Sequence, residues 1–571
     1  MPSAALRRAR PLAVALLIPL LSLAVAAIDP APAPRVKDDK AVKPMTPVEM
    51  DKALIAEVKA NTELMKNLQY LSDVIGPRLT GSKNLEKANK WTADKMREYG
   101  LENVKLESWE IPVGWERGPA SMTIIEPETN RQLGLAAVGW TPGTKGKVTG
   151  EVVILRGRNR ADLDYYKGKL KNAVVMMSPP PTIAPVTNLR YLGDPPPLPK
   201  KEDFFPPKKD EPKKDDPKKD EKKLELKKDG LSPISFEQPP AKDDPKKDDP
   251  KKDDPKKVEQ KDLPPIGQAF MPTRELDAFL IAEGAACKLS CSSKPHGLLV
   301  AYGGWRGADR GEPEGMMPQV VVAHEHYSML WRLASRPAPD VTKVEIQVSN
   351  KFIPGPITVF NTVGEVRGSE KPDEFVVVGA HLDSWDLGTG TTDNGTGTCV
   401  VLESARTVAA LAKRGYPPKR TIRFCLFTGE EQGLYGSREY VKRHMEEMPK
   451  TSACLVHDTG TGKMIGWGLA NRKESYKILE PELATLFELD GWRGCDLGFQ
   501  GGSDHQSFDR RDVGVPGFCG RQEGDEYRLT HHTQTDTFDK AKPDNLNQGA
   551  QVMSVTCMRI ANLPNLLPRE R

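Results

Sequence analysis

Net charge, cysteine and long apolar runs are all scarce in this sequence of 571 residues. Its 83 Lys and Arg stand against 79 Asp and Glu, a formal charge of +4, so it carries no electrostatic footprint of a nucleic-acid binder. Eight cysteines make no disulfide framework in a chain of this length. Cys399, Cys425, Cys454 and Cys519 lie in or beside apolar runs, where a free thiol behaves as a small hydrophobe. Cys287 and Cys291 form a C-x-x-x-C pair with no second pair at zinc-finger spacing, which leaves a local disulfide or two unrelated thiols. No run beyond the N-terminus is long and apolar enough to span a bilayer. The N-terminal run, 12–24, is short and interrupted by Pro19; Arg7, Arg8 and Arg10 precede it and Ala24-Val25-Ala26 closes it. That is the pattern of a secretory signal peptide over 1–26, so the expectation is a secreted or periplasmic protein with no membrane anchor in the mature chain.

What is present begins with helical spacing over 46–99, broken at Gly76-Pro77 and ended by Gly100, followed by an alternating strand at 104–111. Between 118 and 350 the texture changes to short strands, read at 146–155, 172–177, 298–302, 319–323 and 343–348, with a helix at 327–333. This series predicts a small, mostly β domain inserted into an α/β fold. Within it lies a stretch, 195–265, dominated by Lys, Asp and Pro, in which DDPKK repeats from 243 to 257. Balanced charge plus a proline in every pentad cannot bury enough apolar surface to order, so the stretch reads as a solvated loop. His324 and His326 form an H-x-H far from any acidic cluster and read as surface or capping residues.

The chain is organised around 375–397, FVVVGAHLDSWDLGTGTTDNGTG. Phe375 to Val378 have the continuous apolar character of a strand buried on both faces, with a turn expected at Gly379-Ala380. His381, Asp383 and Asp393 follow, and a helix is expected from 399 to 411. Alone, the segment also reads as an Asp/Asn/Gly turn with a chance histidine. Two further apolar strands end the same way: 421–428 runs into Glu430 and Glu431, and 453–456 into His457 and Asp458. Adjacent glutamates behind a buried strand are costly unless a cation faces them. Gly501-Gly502-Ser503-Asp504-His505 and a loop with His531, His532 and Asp536 come last. Open α/β sheets carry their sites at the carboxyl ends of their strands, so these segments predict a polynuclear metal centre there. Two histidines and three carboxylates, one of them bridging, suit two zinc ions, with a glutamate left over.

At this point the sequence resembles the dizinc exopeptidases of metallopeptidase family twenty-eight. The motifs AHLDS, TDNGTG, TGEEQGLYGS, HDTG, GGSDHQSF and HTQTDT occur in the family's order, joined by RLTGS at 78–82 and GWERG at 114–118. The arrangement is most similar to the plasma glutamate carboxypeptidase branch, which also carries an inserted domain. The resemblance implies a three-layer α/β/α fold with a mixed central sheet and an inserted, mostly β, protease-associated-type domain. It divides the chain into 44–117 and 351–568 for the catalytic domain and 118–350 for the insert. It further implies that Asp393 bridges two Zn2+ ions, one completed by His381 and Asp458, the other by Glu431 and His532. His532 rather than His531 is chosen because the family's ligand stands four residues before the Asp of the D-T pair, Asp536. Glu430 would be the general base and Asp383 the carboxylate that orients His381; Asp504 and His505 would shape the pocket. The implied substrate is a short peptide or dipeptide, and the resemblance allows a homodimer. Two other functions share this scaffold: a catalytically inactive receptor-like protein, and glutaminyl-cyclase-type acyl transfer.

Overall fold

The apolar run at 375–378 is the centre of the fold. In the computed structural model, which describes residues 43–157, 160–183, 273–305, 315–524 and 527–571, residues 45–571 form one compact unit. The expected signal peptide, 1–26, and the Lys/Asp/Pro-rich stretch, 195–265, lie outside the described residues. Thr46 caps the first helix, Pro47–Asn61, through a capping box with Glu49, and Gly100 closes the helix Lys83–Tyr99 in the left-handed region.

The chain then enters its main sheet as β1 (Glu102–Glu116). It leaves for seven strands: β2 (Ala120–Glu126), β3 (Leu135–Ala137), β4 (Val148–Ile154), β5 (Val174–Met176), β6 (Cys287–Cys291), β7 (Gln319–Val322) and β8 (Lys343–Val348). It returns as β9 (Lys351–Val366), β10 (Lys371–His381), β11 (Arg420–Phe427) and β12 (Thr451–Val456). Three more strands, β13 (Met464–Gly468), β14 (Cys495–Asp496) and β15 (Gly517–Gln522), complete it.

The main sheet has the order β1-β9-β11-β10-β12-β15-β13-β14. β10 lies parallel to both β11 and β12, and β12 is parallel to β15; β9 runs antiparallel to both its neighbours, while β13 is antiparallel to β15 and parallel to β14. Val376, Val378 and Ala380 of β10 pack into one apolar cluster with the helices Thr396–Lys413 and Pro543–Asn562; Val377 packs into another with Tyr440 and Val441 of the helix Tyr435–Arg443. The sheet is therefore covered on both faces, an α/β fold, and each valine so buried contributes about 1.5–3 kcal/mol. β10 does not turn at Gly379 as its composition suggested. It continues to His381, which pairs with Phe427 at the end of β11.

The second sheet has the order β2-β8-β4-β5-β6-β7-β3. Its middle strands β4 to β7 are parallel, and the helices Thr273–Ala282 and His324–Ala334 pack with it. It leaves and rejoins the main sheet at one point, because β1 and β9 form a long antiparallel ribbon that pairs Glu116 with Lys351. At this pinch a Cβ on Gly118 would lie 1.7 Å from the carbonyl oxygen of Ser349, so only glycine fits. The stretch 298–302, expected as a strand, is not one: its amides are used elsewhere, as described below. All eight cysteines are free. His326 accepts from the amide of Gly134 at 2.8 Å, and His324 opens the helix His324–Ala334.

A charged cluster between β1 and β11 makes stability pH-dependent. His444 sits between Glu107 (3.0 Å) and Glu447 (2.9 Å), and Arg423 reaches Glu365 (2.7 Å) and Glu447 (2.6 Å). Burial pushes the His444 imidazole down, but the two carboxylates outweigh it and raise it above its usual 6.5. Burial likewise raises Glu447, yet His444 and Arg423 hold it down at about 2. The His444 contribution is therefore complete below about pH 6.5 and fades as pH rises through the raised value; that of Glu447 is present above about pH 4.5 and fades toward pH 2. His444→Gln is expected to cost about 1–2 kcal/mol at pH 6 and to flatten the decline on the alkaline side, measured by denaturant unfolding from pH 5 to 9.

Candidate metal centre

The parallel strands β10, β11 and β12 end side by side, and each ends in a group that can ligate. His381 is the last residue of β10 and is 1 % exposed. After β11 the left-handed Gly429 turns the chain, and Glu430 and Glu431 follow. A Cβ on Gly429 would meet the Trp109 ring at 2.7 Å, so that turn needs glycine twice over. Asp458 stands two residues past β12. Asp393 is carried on the turn Thr391–Gly395 that leads into the helix Thr396–Lys413. His532 comes from the loop after the short helix Tyr527–Thr530.

These five side chains meet. Oδ1 of Asp393 lies 3.3 Å from Nε2 of His381, which is itself 3.4 Å from Oδ1 of Asp458. Oδ2 of the same Asp393 lies 3.3 Å from Nε2 of His532, which is 2.9 Å from Oε2 of Glu431. One carboxylate thus presents its two oxygens to two separate imidazole–carboxylate pairs. Nε2 of His381, Oδ2 of Asp393, Oε1 of Glu431 and Oδ1 of Asp458 are all buried without a hydrogen-bond partner. Buried polar atoms left orphaned at this density call for a ligand.

Electrostatics point the same way. Burial pushes Glu430 and Glu431 well above the usual carboxylate range, and the charges of Asp458, Asp504 and Asp393 add to the effect. Burial also raises Asp393, but the His381 and His532 imidazoles outweigh it and hold that carboxyl low. A buried cluster with four carboxylates and two imidazoles carries an excess of negative charge that cations would neutralise. Imidazole nitrogen with carboxylate oxygen is a donor set suited to zinc, so the residues present fit a pair of such ions.

Both adjacent histidines stand beside Asp393, their ligand atoms close enough to share an ion with it. His531 stacks on His532 with ring centroids 3.7 Å apart, is 42 % exposed, and keeps its Nε2 3.9 Å from Asp393. Asp383 meets His381 more closely through its backbone than through its carboxylate. Nδ1 of His381 donates to the backbone carbonyl of Asp383 at 3.0 Å, while the Asp383 carboxylate is 3.7 Å from that nitrogen. The carboxylate instead accepts from Oγ1 of Thr80 (2.9 Å) and from the amides of Glu430 (3.3 Å) and Glu431 (3.4 Å). It fixes the turn that carries both glutamates.

Two residues have roles that the sequence did not reveal. Asp536 accepts from the amides of Thr392 (2.5 Å) and Asp393 (3.2 Å) and so sets the backbone from which Asp393 projects; burial, with the Asp393 charge, pushes it up to about 7. Its signal in the sequence is only its place in the D-T pair. Arg78, fully buried, donates to the carbonyls of Leu382 (2.7 Å), Thr389 (2.9 Å) and Gly390 (2.7 Å), and so shapes the loop between His381 and Asp393.

A cleft of about 530 Å³ opens over the cluster, lined by Glu430, Gln432, Gln500, Tyr527 and His531 among others. Asp504 is buried close by and pushed up to about 7 by that burial, and His505 reaches the Gln500 carbonyl at 2.7 Å. Arg521 is held by Asp496 at 3.0 Å and is not among the lining residues.

Fold and donor set define a metal-dependent hydrolase of the α/β class. Residues 361–557 match the model of peptidase family M28. Over almost its whole length it is similar to carboxypeptidase Q: 28 % identical to the Mus musculus protein, covering 88 % of this chain and 87 % of that one. With the Homo sapiens protein the figures are 25 %, 90 % and 88 %. Among solved structures, a peptidase M28 precursor from Shewanella amazonensis superposes with a TM-score of 0.65 at 21 % identity, covering 91 % of this chain and 98 % of that one. An aminopeptidase from Aneurinibacillus gives 0.54 at 17 %, with the same coverage, and shares the fold.

Proposed function

We propose that this protein is an exported, dizinc exopeptidase that hydrolyses the terminal bond of short peptides or the single bond of dipeptides, with Glu430 as general base. The observation that carries this reading is Asp393, whose two carboxylate oxygens face two different imidazole–carboxylate pairs. His381 and Asp458 would hold one ion, Glu431 and His532 the other, with Asp393 shared. When bound, such ions supply Lewis acidity toward a carbonyl oxygen and lower the pKa of water. The carbonyl of Asp383 keeps the proton of His381 on Nδ1, so that Nε2 offers its lone pair. Glu430 takes the proton of the attacking water as its oxygen bonds to the peptide carbon. It returns that proton to the amine as the C–N bond breaks, leaving a carboxylic acid and an amine, which exchange the remaining water proton to end as carboxylate and ammonium.

The relatives named carboxypeptidase Q support exopeptidase action. Export rests on the sequence pattern of 1–26; among the described residues no helix is long and apolar enough to cross a membrane. Residues 118–350 are read as a protease-associated-type domain. A panel of dipeptides, free or blocked at either end, tests the whole reading. Unblocked dipeptides are expected to be cleaved, activity to vanish on chelation and to return with zinc. Cleavage indifferent to both blocks, or unaffected by chelation, contradicts it.

A further inference from the structure

We propose that the second sheet is a working part of the metal centre: its segment 292–301 is a strap that holds the loop carrying His532, and Gln534 is the positioning residue that fastens the two together. This rests on the reading of His532 as a metal ligand. Of the five residues that converge, His532 alone neither follows a central strand closely nor leads into a long helix. His381 ends β10, Glu431 and Asp458 follow β11 and β12 closely, and Asp393 opens a long helix, whereas His532 lies on a loop well beyond β15. It also has φ of +60°, a conformation that a non-glycine residue keeps only when its surroundings impose it.

The imposing contacts come from the second sheet. The amide of Ala301 donates to the carbonyl of His532 at 2.7 Å, and Lys294 donates to the carbonyl of His531. Val300 and Thr533 form an isolated antiparallel bridge. Gln534 clips the strap at two points: its Oε1 accepts from the amide of Leu299 at 2.9 Å, and its Nε2 donates to the carbonyl of Gly297 at 3.1 Å. This use of the amides explains why 298–302, apolar enough for a strand, does not join a sheet. The strap is itself tied to the second sheet. Ser292 donates its amide to Val322 of β7 at 2.8 Å, and Glu325, in the first turn of the helix His324–Ala334, accepts from the amides of His296 (2.7 Å) and Gly297 (3.1 Å). From the other side Trp385 meets the His532 ring edge-on at 6.0 Å and packs against Trp140 of the insert at 6.5 Å. A continuous set of contacts therefore runs from Glu325 through the strap and Gln534 to His532.

The test uses the full chain with two truncations, Gln534→Ala at the clip and Glu325→Ala at the far end of the strap, and two readouts. In metal-free protein, hydrogen exchange is followed over 527–537; separately, zinc affinity is measured by chelator competition. Both variants are expected to speed exchange in that loop and to weaken the more weakly held zinc by about tenfold or more, as loss of a partner behind a metal ligand commonly does. The double variant is expected to be no worse than the more damaging single one, because both release the same strap. Gln534→Glu, which keeps the acceptor for Leu299 and loses the donor for Gly297, is a gentler variant and is expected to fall between. Unchanged loop exchange and zinc affinity in folded Gln534→Ala overturn the proposal, as does a Glu325→Ala effect confined to the insert. A protein that binds no zinc would refute the proposed function, while the exchange arm would still read the strap.

Discussion

Glu430→Gln is expected to lower kcat by about 10²–10⁴ while the protein keeps its full complement of zinc. Glutamine matches glutamate in size and leaves the backbone amide, which donates to Asp383 at 3.3 Å, where it is, so the turn is not disturbed. What disappears is the capacity, proposed above for Glu430, to accept a proton from water and pass it to the leaving amine. The adjacent position gives the contrast. Glu431 places Oε2 2.9 Å from His532 and leaves Oε1 buried and unpartnered, so Glu431→Gln is expected to lose metal first and activity as a consequence. Metal content against kcat for the two neighbouring variants separates base from ligand. Near-normal turnover in Glu430→Gln would show the proton passing through another group.

Arg78→Met is expected to destabilise the fold by about 3–5 kcal/mol, the cost commonly seen when one partner of a buried charged network is removed. The guanidinium is 0 % exposed and spans four carbonyls, those of Gly76, Leu382, Thr389 and Gly390, at 2.7–3.2 Å. Methionine fills similar space and leaves these acceptors buried without donors. Lysine rescues little, because a single ammonium cannot reach carbonyls arranged around a planar fork. A Cβ on Gly390 would come within 2.9 Å of the same guanidinium, which shows how closely the loop is moulded to it. Since that loop ends at Asp393, zinc affinity is expected to fall together with the unfolding midpoint. An unchanged midpoint would mean that the loop holds its shape by other means.

The sequence made the strand ends legible because β10, β11 and β12 are buried on both faces and so appear as uninterrupted apolar runs with polar residues immediately after. Burial and function are written next to each other there. β9 is not separable from its surroundings in the sequence, since Pro354, Gly355 and Pro356 sit inside it and its pairing with β1, and over its last residues with β11, is what makes it a strand. β13, five residues with two glycines, has too little pattern to read. The stretch 298–302 misled for the opposite reason: it has strand composition, but its hydrogen bonds go to the His532 loop. The Asp383 carboxylate also acts on a turn 47 residues later in the chain, a contact that spacing cannot reveal. Asp536 and Arg78 act through backbone atoms, which leave no trace in residue type.

Anomalous diffraction at the zinc edge, from crystals grown with zinc, tests the central claim most directly. The account predicts two peaks that share Asp393, one beside His381 and Asp458, the other beside Glu431 and His532. A single peak, or a pair of peaks neither of which touches Asp393, would contradict it.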